Sequence, residues 1–191
     1  APAVRDLFDL RGRVALVTGA GAGIGTGIAR RFAEAGARVA VHFQRSREGA
    51  EAGVSRVTAT GGHAVTCQAD LTHADAVATL LADVTTRLGR PDIIINNAGI
   101  YPVAPILDMP DGEWDAVVGA NLTTVHLVTQ ALGRQVREHG RADAAIVNIA
   151  SIEASNVAPA HSHYVAAKAG VVMYTKASAR ELGPLGIRVN A

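Results

Sequence analysis

One cysteine, Cys67, stands among 191 residues, so no disulfide can form within the chain. It lies in an apolar run, which suits a buried structural thiol better than a catalytic one. A reducing, cytoplasmic compartment is the expectation. No apolar stretch approaches the roughly 20 residues of a membrane helix, and the opening APAVRDLFDLRG lacks the basic and apolar regions of a secretory leader. No membrane association is therefore expected. Neither sign of charge is in excess, with 18 Lys and Arg against 17 Asp and Glu. Without a basic field to meet phosphates, nucleic acid is not an expected partner. Solenoid repeats, low-complexity tracts and linker-like composition shifts are also missing. What these absences leave, at 49% hydrophobic and 18% charged residues, is a single globular domain over residues 1–191 with a sizeable core.

The stretch RVALVTGAGAGIGTGIARRFAEAG, Arg13 to Gly36, organises the rest. It predicts a buried strand over Val14–Val17, a glycine-rich turn over Thr18–Gly25 and an amphipathic helix from about Ile24 to Ala35. Gly19, Gly21, Gly23 and Gly25 leave no Cβ between backbone and ligand, so amides at the helix start, around Ile24, can approach a pyrophosphate. The spacing is T-G-x-x-x-G-x-G; Ile24 and Thr26 occupy the places where G-x-G-x-x-G would put its last glycine. A flexible strand-to-helix connection is the alternative for such a loop taken alone.

Strand-like runs and helical patterns alternate along the remainder, which predicts an α/β fold with a parallel sheet covered by helices on both faces. Strands are expected at Arg38–Phe43, His63–Gln68, Asp92–Asn96, Ala144–Ile149 and Ile187–Asn190. Helices are expected at about Arg47–Thr60 and His73–Leu88, and a long one from Asp111 or Gly112 to about Glu138. Past the second strand come Phe43, Gln44, Arg45 and Ser46, with no carboxylate to accept a ribose 2′-hydroxyl. Arg45 and Ser46 suit a 2′-phosphate, with Arg47 a second candidate, so NADP(H) is favoured over NAD(H). A solvated loop is the alternative. Asp70, after the third strand, suits either an adenine amino group or a helix cap, a role for which Thr72 competes. Asn96-Asn97-Ala98-Gly99 ends the fourth strand, at the edge where open α/β sheets bind ligands, although turn chemistry also explains it.

Ser151 follows the fifth strand, and thirteen residues later comes Tyr164-Val-Ala-Ala-Lys168. Four positions apart on a helix, the two side chains share a face, so the ammonium can lower the phenol toward working pH and make an acid and base of the pair. Asn121 sits among apolar residues, where a buried amide must find hydrogen bonds. His161 and His163 flank Ser162; as a metal pair they lack a third ligand, so no metal is expected and a substrate-loop role is. The other histidines, His42 among them, are scattered and read as surface or satisfied core positions.

In the order and spacing of TGAGAGIG, Asp70-Leu71, NNAG and the serine, tyrosine and lysine, the whole chain resembles the short-chain dehydrogenase/reductase family, and within it the 3-oxoacyl-carrier-protein reductase branch. The resemblance implies a Rossmann-type doubly wound sheet of order 3-2-1-4-5-6. It implies a nicotinamide dinucleotide held by Gly19, Gly21, Gly23, Ile24, Gly25, Arg45, Ser46, Asp70, Leu71, Asn97, Ala98, Gly99, Tyr164 and Lys168. Tyr164 would protonate a carbonyl oxygen as hydride arrives, and Ser151 would orient that oxygen. Lys168 would lower the tyrosine pKa and hold the nicotinamide ribose. Asn121 would kink its helix and hold a relay water. The family also carries a substrate-covering segment and a last strand after the residues matching Arg188-Val-Asn190, and residues 1–191 do not include them. The expected function is NADP(H)-dependent reduction of a carbonyl, a 3-oxoacyl thioester foremost, by a homodimer or homotetramer. An NAD-linked alcohol dehydrogenase and a non-catalytic dinucleotide-binding protein are the alternatives.

Overall fold

A computed structural model of the protein describes residues 8–140 and 143–191. The first seven residues, part of the opening that carries no leader pattern, lie outside the described residues, as do Arg141 and Ala142. Among the described residues six strands, β1 (Val14–Val17), β2 (Arg38–Phe43), β3 (His63–Gln68), β4 (Ile93–Asn96), β5 (Ala144–Asn148) and β6 (Ile187–Asn190), form one sheet in the order β3-β2-β1-β4-β5-β6. This is the Rossmann-type doubly wound order, with its direction of winding reversed between β1 and β4. The helices alternating with them are α1 (Gly23–Glu34), α2 (Arg47–Ala59), α3 (Ala74–Leu88), α4 (Glu113–Val118), α5 (Thr124–His139) and α6 (Ser162–Leu182). No helix among the described residues is long and apolar enough to cross a membrane.

The chain divides into two compact units: residues up to Asp70 with Ala78–Asn97, and Leu71–Val77 with Ala98–Ala191. In the first unit β1 pairs in parallel with β2 and β4, Leu16 opposite both Ala40 and Ile94. Every residue of β1 is buried, which is why the strand is a continuous apolar run and not an alternation. Asp92 stands just outside β4, where its backbone N–H donates to the Val14 carbonyl and its carboxylate accepts the Val14 N–H. α1 buries Gly25, Ala29 and Ala33, a stripe at four-residue spacing whose small side chains let the helix lie close to its neighbours.

Both α1 and α2 stop in the same way. Gly36 N–H donates to the Ala33 carbonyl and Ala37 N–H to Phe32; Gly61 N–H donates to Thr58 and Gly62 N–H to Val57. These paired bonds satisfy the last carbonyls of each helix and require a left-handed residue at the turn, supplied by Gly36 at φ +94° and Gly61 at φ +81°.

In the second unit β5 pairs in parallel with β6. Ile187 and Val189 of β6 are buried while Arg188 and Asn190 are exposed, the alternation of a half-covered strand. α6 is tied to the end of β5 by Asn148, whose side-chain N–H donates to Thr175 Oγ1 over 2.9 Å, and Thr175 in turn donates to the Val171 carbonyl. The long helix expected from Asp111 or Gly112 to about Glu138 is interrupted at Asn121, where the family resemblance implied a kink. α4 ends at Val118, a π-helical segment occupies Gly119–Thr123, and α5 resumes at Thr124. The cause is Asn121, which is wholly buried: its side-chain amide donates to Val117 and Ile100 carbonyls at 3.0 and 2.9 Å, and the wider turn gives that amide its place in the ladder.

The helix terminations carry a test. Alanine at position 61 would meet only the left-handed conformation, a cost of about 1–2 kcal/mol, because no atom lies within 4 Å of the added Cβ. At position 36 the same Cβ would also stand 2.6 Å from Arg11 Cγ. Gly36→Ala should therefore lower the urea midpoint more than Gly61→Ala does. Equal losses would mean that Arg11 yields freely.

Candidate active site

In the first unit the turn after β1 is held by buried, uncharged polar groups. His42, only 2% exposed, accepts the Gly19 N–H at Nδ1 over 3.1 Å and faces the Ala69 carbonyl with Nε2 at 3.1 Å. That pairing requires the neutral ring with its proton on Nε2. Burial pushes the His42 pKa down, and the Ala69 carbonyl and Asp70 only partly offset it. The side chain is thus a satisfied core histidine, as its scattered position suggested, and it shapes the glycine turn. Asn97 works from the other side. Its Nδ2 donates to the carbonyls of Thr18 and Gly19 at 3.0 and 3.1 Å, while its backbone N–H donates to Thr18 Oγ1. A Cβ on residue 25 would stand 2.6 Å from that Nδ2 and 2.7 Å from the Gly19 carbonyl, so Gly25 is demanded by close approach.

These bonds direct the turn into the N-terminus of α1. Ala22 supplies no side-chain cap and the first turn holds no acid, so the first amides keep donors with no acceptor in the helix and a positive end of the dipole. Gly23 takes φ +57°, and Ile24 projects its side chain outward at 68% exposure. Such a cradle of backbone N–H groups fits a pyrophosphate. At the end of β2, Arg45 and Ser46 are exposed, and a Cβ at Gly21 would press on Ser46. Arg47 is already engaged: it donates to Gln68 over 2.6 Å, faces Glu51 at 3.6 Å and lies over the Phe43 ring at 5.2 Å. Asp70 follows β3 half-buried. Burial pushes the Cys67 thiol up to about 12, so it holds no thiolate at neutral pH.

In the second unit Leu71 is buried, Ala98 half-buried and Gly99 exposed. Asn121 Oδ1 is buried without a hydrogen-bond partner. A Cβ on residue 99 would collide with that oxygen and stand 3.9 Å from Lys168 Nζ, so the amide oxygen and the ammonium converge beside Gly99. Lys168 is 4% exposed. Its Nζ donates to the Ile149 carbonyl over 2.7 Å and lies 5.6 Å from the centre of the Tyr164 ring, one turn earlier on α6. Burial lowers its pKa.

Ser151 follows β5 with extended backbone and heads a short 3-10 turn, Ile152–Ala154; its Oγ accepts the Glu153 N–H over 3.1 Å. With that lone pair used, the hydroxyl proton is left to donate elsewhere. His161 and His163 face different partners. His163, fully buried, lies 3.3 Å from Glu113, whereas His161 meets Tyr101 at 2.6 Å and Glu153 at 3.3 Å. Tyr101, Glu153 and Glu113 escape a reading by motif, since Tyr101 lies 52 residues from Glu153 and 60 from His161, and Glu113 lies 50 from His163. The one local sign is their closeness to NNAG, to Ser151 and to the start of α4.

A family model described as short chain dehydrogenase matches residues 13–191. A 3-oxoacyl-acyl-carrier-protein reductase of Synechocystis sp. is 39% identical over 95% of this chain and 73% of its own length. One of Staphylococcus aureus is 40% identical over 93% of this chain and 71% of its own. Among solved structures, a short-chain type dehydrogenase/reductase from Mycobacterium marinum superposes with a TM-score of 0.93 at 40% identity, over 99% of this chain and 76% of that one. A short chain dehydrogenase from Mycobacterium smegmatis gives 0.89 at 37%, over 95% and 76%.

His42 supplies the test of the first unit. Its folded pKa lies below the ordinary 6.5, so its contribution to stability is complete above about pH 6.5 and is lost as the pH falls through that value, where the unfolded chain takes up the proton first. Urea unfolding at pH 7.5 and 5.5 should show a smaller acid loss for His42→Asn than for the unsubstituted protein. An equal loss would place the acid sensitivity elsewhere.

Proposed function

This chain belongs to the short-chain dehydrogenase family, and as such is an NAD(P)-dependent dehydrogenase/reductase; we propose that it uses NADPH to reduce a ketone to a secondary alcohol, with a 3-oxoacyl thioester as substrate. The observation that carries this reading is Lys168, a lysine buried almost completely yet tied to one carbonyl and set beside the Tyr164 ring. Burying an ammonium is costly without partners, and here its neighbour is a phenol, whose ionisation a cation favours.

The pyrophosphate would rest on the amides from Gly19 to Gly25, with Gly21, Gly23 and Ile24 at the α1 start. Arg45 and Ser46 would take a 2′-phosphate: both are exposed, no carboxylate stands between Phe43 and Arg47, and Arg47 already has three partners. Asp70 and Leu71 would lie at the adenine end, and Asn97, Ala98 and Gly99 would follow the nucleotide onward. When bound, the nicotinamide supplies a hydride for the carbonyl carbon. The chain's own residues handle the oxygen. Ser151 orients it with a hydrogen bond from its hydroxyl, since its acceptor side is used by Glu153. Tyr164 gives its phenolic proton to the oxygen as charge develops there, a role worth roughly 10²–10⁴ in rate. Lys168 favours the resulting phenolate and donates to the nicotinamide ribose. Asn121 Oδ1, buried and unpartnered, suits a water that passes protons toward Lys168.

The substrate assignment rests on the printed activity of the two reductases that this chain resembles at 39 and 40% identity. Exposed apolar side chains at Val103, Ile106, Leu107, Ile152 and Val157 support an acyl chain on the substrate side. Self-association through the helices carrying Asn121 and Tyr164 belongs to the same reading.

Paired fluorescence titrations with NADPH and NADH test the cofactor. NADPH should bind more tightly, and Arg45→Asp should remove that preference; an NADH preference would overturn the phosphate assignment. Tyr164→Phe should lower turnover of acetoacetyl-CoA at least ~100-fold with NADPH affinity kept. Undiminished turnover would remove Tyr164 from its role.

A further inference from the structure

Tyr164 has a second tyrosine against it. The rings of Tyr101 and Tyr164 meet edge to face, with centroids 4.5 Å apart and planes at 79°. Tyr101 comes from the loop after β4 and ends on two anchors. Its hydroxyl donates to Glu153 Oε1 over 2.5 Å and lies 2.6 Å from His161 Nδ1. With the hydroxyl proton on Glu153, His161 Nδ1–H donates to the phenol oxygen; the rings of Tyr101 and His161 are 4.2 Å apart.

Each anchor belongs to a carrier of the proposed reaction. Glu153 sits in the 3-10 turn headed by Ser151 and donates its own N–H to Ser151 Oγ. His161 is the residue before α6, three positions ahead of Tyr164, and its carbonyl accepts the Val165 N–H over 2.8 Å. The same loop makes a further bond, from Ala104 N–H to the Ala160 carbonyl at 2.9 Å, and Ala160 holds the left-handed φ of +63° that a non-glycine residue adopts only under outside constraint. One side chain thus ties the Ser151 turn to the start of the Tyr164 helix.

We propose that Tyr101, clamped by Glu153 and His161, is a positioning residue that sets the Tyr164 ring and the Ser151 turn relative to each other for proton delivery. This rests on the reductase reading given above. The cluster is not a second acid. The hydrogen bond to Glu153 and the neighbouring carboxylate push the Tyr101 phenol up to about 12, and its proton is already committed. The Tyr164 ring has two close neighbours: the Tyr101 ring meets it at 79° with centroids 4.5 Å apart, and Lys168 supplies a cation 5.6 Å from its centroid. Misplacing a proton donor by about 1 Å is enough to lose on the order of 100-fold in rate, so a brace at this point acts on turnover before it acts on binding.

The chain holds three tyrosines, Tyr101, Tyr164 and Tyr174, so protein labelled with tyrosine carrying carbon-13 at Cζ gives three resolvable NMR signals, assigned by single Phe substitutions. Tyr101→Phe keeps the ring and deletes both anchors; Glu153→Gln keeps an acceptor and deletes the charge. The Tyr164 signal should move in both variants while the Tyr174 signal stays. With acetoacetyl-CoA and NADPH, kcat should fall about tenfold in each with KM unchanged, and the double variant should be no worse than either single one, as for residues acting as a unit. A Tyr164 signal unmoved in both variants would overturn the proposal, and so would rate losses that multiply. A lower unfolding midpoint with the Tyr164 signal and kcat intact would make the cluster a structural brace only, which also overturns it. Failure of the unsubstituted protein to reduce acetoacetyl-CoA would count against the reductase reading, and the NMR signals would still decide the placement of Tyr164.

Discussion

A lysine in a dry place needs a reason and a partner, and much of the second unit is arranged around giving Lys168 both. An ammonium removed from water loses its hydration, and the Ile149 carbonyl at 2.7 Å returns only part of it. Burial therefore weakens the hold of Lys168 on its proton. What restores the balance is negative charge appearing nearby, and a phenolate at Tyr164 would supply it. The π-helical segment serves the same centre: by widening one turn, it lets Asn121 satisfy Val117 and Ile100 with its nitrogen while leaving its oxygen beside the lysine.

The first unit solves a different problem with uncharged groups. A pyrophosphate cradle made of backbone amides needs its turn held open without any side chain competing for the anion. At the turn proposed for this role, His42 accepts the Gly19 N–H, and Asn97 donates to the Thr18 and Gly19 carbonyls and to Thr18 Oγ1. A charged group in their place would carry a desolvation cost and a field of its own. Kept neutral by burial, His42 contributes shape and no charge. The glycine spacing T-G-x-x-x-G-x-G then follows from contact, since at position 25 even one methyl carbon would strike both Asn97 and the Gly19 carbonyl.

The family places a serine, a tyrosine and a lysine in known order, yet it leaves open how firmly they are held. In this chain the answer includes Tyr101, Glu153 and His161, a cluster of short contacts between a loop, a 3-10 turn and a helix start. His163 makes a comparable tie to Glu113 at the head of α4. The alternating histidines before Tyr164 therefore divide their work, one toward the loop after β4 and one toward α4.

The fold was largely legible in the residues themselves. β1, β2 and β3 fall where continuous apolar runs predict them, and α1 and α2 stop at Gly36 and at Gly61, because local periodicity and left-handed turns are properties of short stretches. The Tyr164–Lys168 pairing was legible for the same reason, four residues being one helical turn. The kink at Asn121 was implied by the family resemblance and not by the residues alone: Asn121 reads as one polar residue in a helical pattern, and its bond to the Ile100 carbonyl arises only when a loop residue 21 positions away is folded against it. Tyr101 lies 52 residues from Glu153 and 60 from His161, and no spacing rule operates over such distances. What the sequence determined by itself was the order of elements, the glycine turn and the one-turn reach between tyrosine and lysine. Only the tertiary structure decided which buried polar groups meet, because a hydrogen bond forms where chain ends converge in space, and that convergence is a property of the whole packing of each unit.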